Sequence, residues 1–190
     1  MESKLEPYEV KDDPTPIDGK LNSLRRAFKT GKTRPLEYRV KQLNNLKEGL
    51  RAVAKDIDAA LHADLGRQGY TNTLFETGGI EKKIDHCLAH LKKWMADESV
   101  DTPMLLAPAK SRIVYEPFGV ALVIGSWNFP FFTTIGPLIY AIAAGNCCVI
   151  KPSEMSPQSS KVMKRLFTRH LDSACYACIE GAVQVAIAIT

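Results

Sequence analysis

The sequence predicts an α/β chain: N-terminal helices followed by a partial parallel sheet of βαβαβ connectivity. Three observations carry that reading. Charged side chains number 36 in residues 1–110 and only 10 in residues 111–190, so the first part reads as solvated amphipathic helices and the second as elements buried on several sides. Apolar residues recur at spacings of three and four through the first part. Three short apolar runs begin at positions 120, 147 and 175, separations of 27 and 28 residues, the rhythm of parallel strands joined by right-handed helical crossovers. The border falls in the proline-containing stretch 102–108. It divides the chain into residues 1–110, a helical segment with a lead-in to the sheet, and residues 111–190, a partial α/β segment. At about 100–200 residues per domain, both are parts of one domain.

The elements follow in order. Leu21, Leu24 and Phe28 mark a short first helix. Leu36, Val40, Leu43, Leu46, Leu50, Val53, Ile57, Leu61 and Leu65 form one long apolar stripe, with Pro35 suiting its first turn and Gly66 its end. A further helix runs through Leu74, Ile80, Ile84, Leu88, Leu91 and Met95. Gly78-Gly79 inside it costs about 1 kcal/mol per glycine unless close packing needs the small residues. Arg112–Glu116 reads as an extra strand leading in. Val120–Ile124, ending at Gly125, suits a strand buried on both faces. Thr133–Ala144 is the next helix, closed by Gly145-Asn146, and Cys147–Ile150 is the second strand. Ser156-Pro157 starts a helix with Ser as N-cap and Pro in the first position, running to about Arg169. Cys175–Ile179 gives the third strand, and a last helix begins near Ala182.

Composition narrows the function classes. At 45% hydrophobic and 24% charged the chain is ordinary globular material, and a net charge of +4 is no footprint of nucleic-acid binding. The N-terminus, Met-Glu-Ser-Lys-Leu-Glu-Pro, is charged rather than apolar, and no run approaches the roughly 18 apolar residues of a membrane span. Five cysteines, an odd number without a secretory leader, fit a reduced, cytoplasmic protein. Cys175-x-x-Cys178 has no second Cys or His pair after it, and His86 and His90 show no third ligand in sequence, so no metal site is expected.

In an open parallel sheet, ligands bind beyond the carboxyl ends of the strands. Two loops sit there: Gly125-Ser-Trp-Asn-Phe-Pro130 after the first strand and Lys151-Pro-Ser-Glu154 after the second. In dinucleotide-binding folds an acidic residue in this neighbourhood accepts hydrogen bonds from ribose hydroxyls, yet the first loop has no G-x-G-x-x-G turn for the phosphates. From spacing alone Asn128 reads first as a cap for the helix that follows, while Lys151 and Glu154 serve equally as a solvated turn.

The wording of those loops is recognisable. Tyr115-Glu-Pro-Phe-Gly-Val-Ala-Leu-Val-Ile-Gly-Ser-Trp-Asn-Phe-Pro130, followed by Ala143-Ala-Gly-Asn-Cys-Cys-Val-Ile-Lys-Pro-Ser-Glu154, closely resembles the aldehyde dehydrogenase superfamily. Pro108-Ala-Lys-Ser111 and His90-Leu-Lys-Lys-Trp-Met95 are most similar to its class-3, fatty-aldehyde-type branch. The resemblance runs from about Leu21 to Glu180. It implies a Rossmann-like cofactor-binding sheet and NAD(P)-dependent oxidation of aldehydes, medium- or long-chain or aromatic, to carboxylic acids. In that chemistry a cysteine thiolate attacks the carbonyl, hydride passes to nicotinamide, and a glutamate base assists hydrolysis of the thioester.

By motif match Asn128 stabilises the oxyanion, Ile124, Gly125, Ser126 and Trp127 line the cofactor cleft beside Asn128, and Lys151, Ser153 and Glu154 hold the adenosine ribose. The implied cofactor is NAD, with NADP admitted, the implied partner an aldehyde substrate, and a full-length member is expected to be a homodimer. Thr190 falls before the family's second glycine-containing loop, its catalytic cysteine and its glutamate base, and none of the five cysteines lies in the nucleophile motif. The chain is therefore expected as the front part of such an enzyme, without activity of its own. The alternatives are a non-catalytic nucleotide-binding or regulatory fragment, and a generic α/β interaction domain.

Overall fold

Helices α1 (Ile17–Lys29), α2 (Leu36–Ala52) and α3 (Ala54–Leu65) open the computed structural model, which describes residues 17–190. The predicted first helix is α1. The predicted long helix is two helices, and Val53, at φ −104° and ψ 11°, breaks it. Apolar positions face the core on both sides of the break, which is why periodicity did not reveal it. The turn lets α2 lie against the later helices Gly78–Trp94, Pro130–Ala143 and Pro157–His170, while α3 runs along the last of these. Contact there is close: a Cβ on Gly49 of α2 would stand 2.8 Å from the His170 ring. Gly66 closes α3 in the left-handed conformation, φ 67°, as its position predicted.

A short α4 (Tyr70–Asn72) and a π-helical turn over Thr73–Thr77 precede α5 (Gly78–Trp94). The glycine pair therefore begins a helix rather than interrupting one. Gly79 is also where α5 meets α6, since a Cβ there would come within 3.2 Å of the Phe132 ring. The lead-in strand is real but belongs elsewhere. β2 (Ser111–Ile113) pairs antiparallel with β1 (Glu98–Val100), an element sequence reasoning missed, in a separate two-stranded sheet. β1 is exposed at all three residues, so it carries no alternation to detect.

The main sheet is parallel, in the order β3 (Val120–Ile124), β4 (Cys147–Lys151), β5 (Tyr176–Cys178), with Val120 opposite Cys147 and Cys148 opposite Tyr176. α6 (Pro130–Ala143) and α7 (Pro157–His170) make the crossovers, and α8 (Val183–Ile189) follows β5. β4 is buried at every residue. β3, expected to be buried on both faces, is not: among its five residues only Val123 is buried, whereas β5, at the opposite edge of the sheet, is buried throughout. One buried cluster joins Leu46, Ile57 and Ile84 of the helical part to Ile139, Val149 and Ile150 of the sheet part.

Candidate functional site

β3 and β4 end side by side. The Gly125 N–H donates to the Lys151 carbonyl at 2.9 Å, so both loops leave the sheet from one point on its carboxyl edge. Between them and α8 lies a cleft of about 510 Å³. Ile124, Gly125, Ser126, Trp127, Lys151, Ser153 and Glu154 line one side, and Val183, Ala186 and Ile187 of α8 the other. Seven of the eight sequence-predicted cofactor residues thus share one cavity. Asn128, exposed, is not among the lining residues. A second cleft, about 560 Å³, lies between α1 and β3 and holds none of the loop residues.

The β4 loop is held by its own residues. Lys151, 3% exposed, extends its Nζ to Glu154 Oε2 at 2.9 Å and to the Pro152 carbonyl at 3.1 Å. That ammonium holds the Glu154 carboxyl below its ordinary range, so the carboxylate is ionised at neutral pH. Ser153 Oγ accepts the Met155 N–H at 3.2 Å and closes the turn. A fixed carboxylate beside a fixed ammonium, open to a cleft with apolar walls, suits a vicinal diol attached to a flat ring.

The β3 loop is held against the first turn of α6. Gly125 passes so close to α6 that a Cβ would stand 1.8 Å from Thr134 Oγ1, so only glycine fits. The Ser126 N–H donates to Thr133 Oγ1 at 3.1 Å, and Thr133 Oγ1 donates in turn to the Phe129 carbonyl at 2.9 Å. Ser126 Oγ donates to Asn128 Oδ1 at 2.7 Å. With Oδ1 engaged, the amide NH₂ is the end of Asn128 offered to an incoming oxygen. Its side chain is therefore turned to Ser126 rather than capping α6.

Two residues that sequence reasoning passed over hold this loop from outside. Arg67 Nη2 donates to the Asn128 carbonyl, its Nη1 reaches Glu76 Oε1 at 3.2 Å, and its guanidinium lies 4.2 Å from the Phe129 ring centroid. Glu76 is fully buried, and its Oε2 accepts the Phe132 N–H at 2.8 Å, in the first turn of α6. Burial pushes its carboxyl above the ordinary range, against the opposing pull of that N–H and of Arg67. The only trace in sequence is one acid beside the apolar pair Leu74-Phe75.

α7 departs from expectation in a related way. Ser156 makes no cap bond, and its Oγ donates instead to the Trp127 carbonyl at 2.9 Å, tying the two loops together. The N–H groups of Gln158 and Ser159 are accepted by the Asp64 carboxylate of α3, at 3.1 and 2.8 Å. All five cysteines are buried and none forms a disulfide. Among the described residues no cluster of three or more metal-ligating side chains occurs, and no helix is long and apolar enough to cross a membrane.

Comparison with known proteins gives a consistent answer. The aldehyde dehydrogenase family profile matches residues 11–189. The chain is 41% identical over 166 residues to mouse aldehyde dehydrogenase family 3 member B3, covering 87% of this chain and 35% of that protein. It is 42% identical over 163 residues to Arabidopsis thaliana aldehyde dehydrogenase family 3 member H1, covering 86% and 34%. A Staphylococcus aureus AldH solved in a substrate-bound state superposes with a TM-score of 0.88 at 37% identity, over 90% of this chain and 38% of that one. The chain spans about a third of the length of the curated relatives it matches.

Proposed function

The chain belongs to the aldehyde dehydrogenase family, and from that premise we propose that its residues form the nucleotide-binding part of an NAD(P)-dependent enzyme oxidising aldehydes to carboxylic acids. In this reading residues 1–110 are the helical segment and residues 111–190 the partial cofactor segment of one cofactor domain. The observation that carries it is the cleft, where the Ile124–Trp127 run meets the Lys151–Glu154 pair at the carboxyl edge of a parallel sheet. A cytoplasmic location, and a homodimer for a full-length member, belong to the same proposal and rest on family likeness.

The residues fit the adenosine half of a dinucleotide. Glu154 supplies the acceptor for ribose hydroxyls and Lys151 holds that carboxylate in place. Ile124, Val183 and Ile187 give the base an apolar wall. When bound, the nicotinamide ring would supply the acceptor for hydride. Asn128 directs its amide donors at the oxygen on which negative charge develops, and a donor of this kind is worth about 10²–10³ in rate. Ser126 orients that amide, and Arg67 anchors its backbone from behind.

Titration calorimetry tests the binding half. NAD is expected to bind the wild-type chain and to bind less tightly to Glu154→Ala, with NADP weaker than NAD because a carboxylate repels a 2′-phosphate. Equal NAD affinity in the variant removes the ribose assignment, and no binding of either nucleotide favours the generic interaction domain. The isolated chain is also expected to show no NAD-linked aldehyde oxidation, since its five thiols are buried and none is presented to the cleft as a nucleophile. Cofactor reduction that disappears on replacing one of those cysteines overturns this.

A further inference from the structure

On the outer face of α5, away from the cleft, three aromatic rings stand in a ladder. His86 and His90 are exposed one helical turn apart, with ring centroids 4.3 Å apart, and Trp94 stacks on His90 at 5.7 Å. His90 Nδ1 lies 2.8 Å from the His86 carbonyl oxygen. A carbonyl can only accept, so Nδ1 is the protonated nitrogen and His90 Nε2 carries a free lone pair. A backbone carbonyl holding one imidazole nitrogen and freeing the other is the arrangement that prepares a histidine to bind a metal.

From this geometry we propose that His86 and His90 form a two-imidazole site for a borderline divalent transition ion of the Zn²⁺ or Ni²⁺ kind. Two nitrogens bound to one ion at about 2.0–2.1 Å each must lie within about 4.2 Å of one another with their lone pairs aimed at it. The ring centroids are already 4.3 Å apart with planes inclined at 33°, and the exposed His86 ring completes the arrangement by turning edge-on about its side-chain bonds. The helix supplies the preorganisation, as i and i+4 residues share a face. Charge does not supply the attraction. Lys82, Lys83, Lys92 and Lys93 lie on the same helix, and the carboxylate beside His86, Asp85, is taken by Lys47. Ligation by nitrogen therefore selects the ion, and hard cations that require oxygen ligands, Mg²⁺ and Ca²⁺, are refused. Water fills the remaining positions.

Equilibrium dialysis of the chain against Zn²⁺ and Ni²⁺, under a non-chelating reductant, tests this directly. One ion per chain is expected to bind saturably, and Ni²⁺ is expected to quench the Trp94 fluorescence as it does so. His86→Gln and His90→Gln, both at exposed positions, should each lose that binding, whereas His62→Gln keeps it. Trp94→Phe should bind Ni²⁺ as the wild type does with most of the quenching gone, which separates ligation from stacking. Unchanged Ni²⁺ affinity in both histidine variants, or equal uptake of Mg²⁺, would overturn the proposal. Nucleotide affinity plays no part in these measurements, so the result stands apart from the reading of the cleft.

Discussion

The helices that follow the two cleft-forming loops, α6 and α7, both begin on an X-Pro step, Phe129-Pro130 and Ser156-Pro157, and both are capped from outside. For α6 the cap is Glu76, from the π-helical turn before α5; for α7 it is Asp64, from α3. The difference lies in burial. Glu76 is fully buried and tied to Arg67, whereas Asp64 is half-exposed. A helix terminus left without acceptors must find them somewhere, and a proline in the first turn removes only one donor. The helical part of the chain supplies the rest. It therefore does more than cover the sheet: it fixes where both ligand-facing loops end.

Removing the buried cap is the most severe test of that comparison. Glu76→Ala strips the Phe132 N–H and Arg67 of their acceptor together and is expected to cost about 3 kcal/mol in a urea melt, the low end for breaking a buried ionic contact. Glu76→Gln keeps an acceptor and should cost far less. The two also differ in pH response. Burial raises the folded carboxyl above its unfolded value of about 4.3, so its favourable contribution is complete below that value and fades as pH rises through the folded one. Stability of Glu76→Gln relative to wild type should accordingly climb with pH across that window. A flat difference would mean that the carboxyl titrates normally in the fold.

Gly125→Ala comes next. It forces a methyl into the Thr134 hydroxyl at 1.8 Å, and overpacking of this sort costs about 1–3 kcal/mol. Thr134→Ala removes the atom that is struck, so the double variant should recover part of the loss, a coupling that a double-mutant cycle reads directly. Strict additivity would show that the clash is relieved by movement of the β3 loop instead.

The same comparison explains what was legible in the sequence. The short-range patterns were: the apolar runs of the three main strands, Gly66 as a helix end, and the Lys151–Glu154 turn, whose partners lie three residues apart. What could not be read rests on contacts of long sequence separation. Arg67 meets Asn128 across 61 residues, Glu76 meets Phe132 across 56, and Asp64 meets Ser159 across 95. Ser156 looked like a cap because Ser-Pro is a strong helix start in one dimension, but Asp64 fills that role and frees the hydroxyl for Trp127. The break at Val53 was invisible for another reason: two helices that present the same face to one core keep a single hydrophobic period.

Asp64→Ala is the mildest of these tests and the one that separates the two starts most cleanly. It removes a half-exposed side chain through whose place water can reach the buried Gln158 and Ser159 N–H groups, so the expected cost is about 1 kcal/mol, well below that of Glu76→Ala. Ser156→Ala supplies the contrast. Were Ser156 the cap, its loss would weaken α7 and the loss of Asp64 would not. In the arrangement seen here, Asp64→Ala should speed amide exchange at Gln158 and Ser159, the two donors it accepts. Ser156→Ala should leave those amides protected and instead loosen the loop at Trp127, whose carbonyl loses its hydroxyl donor. Exchange measured residue by residue on both variants distinguishes the cases. If Ser156→Ala exposes Gln158 and Ser159 while Asp64→Ala leaves them protected, the cap is local after all and the contrast between the two helix starts collapses.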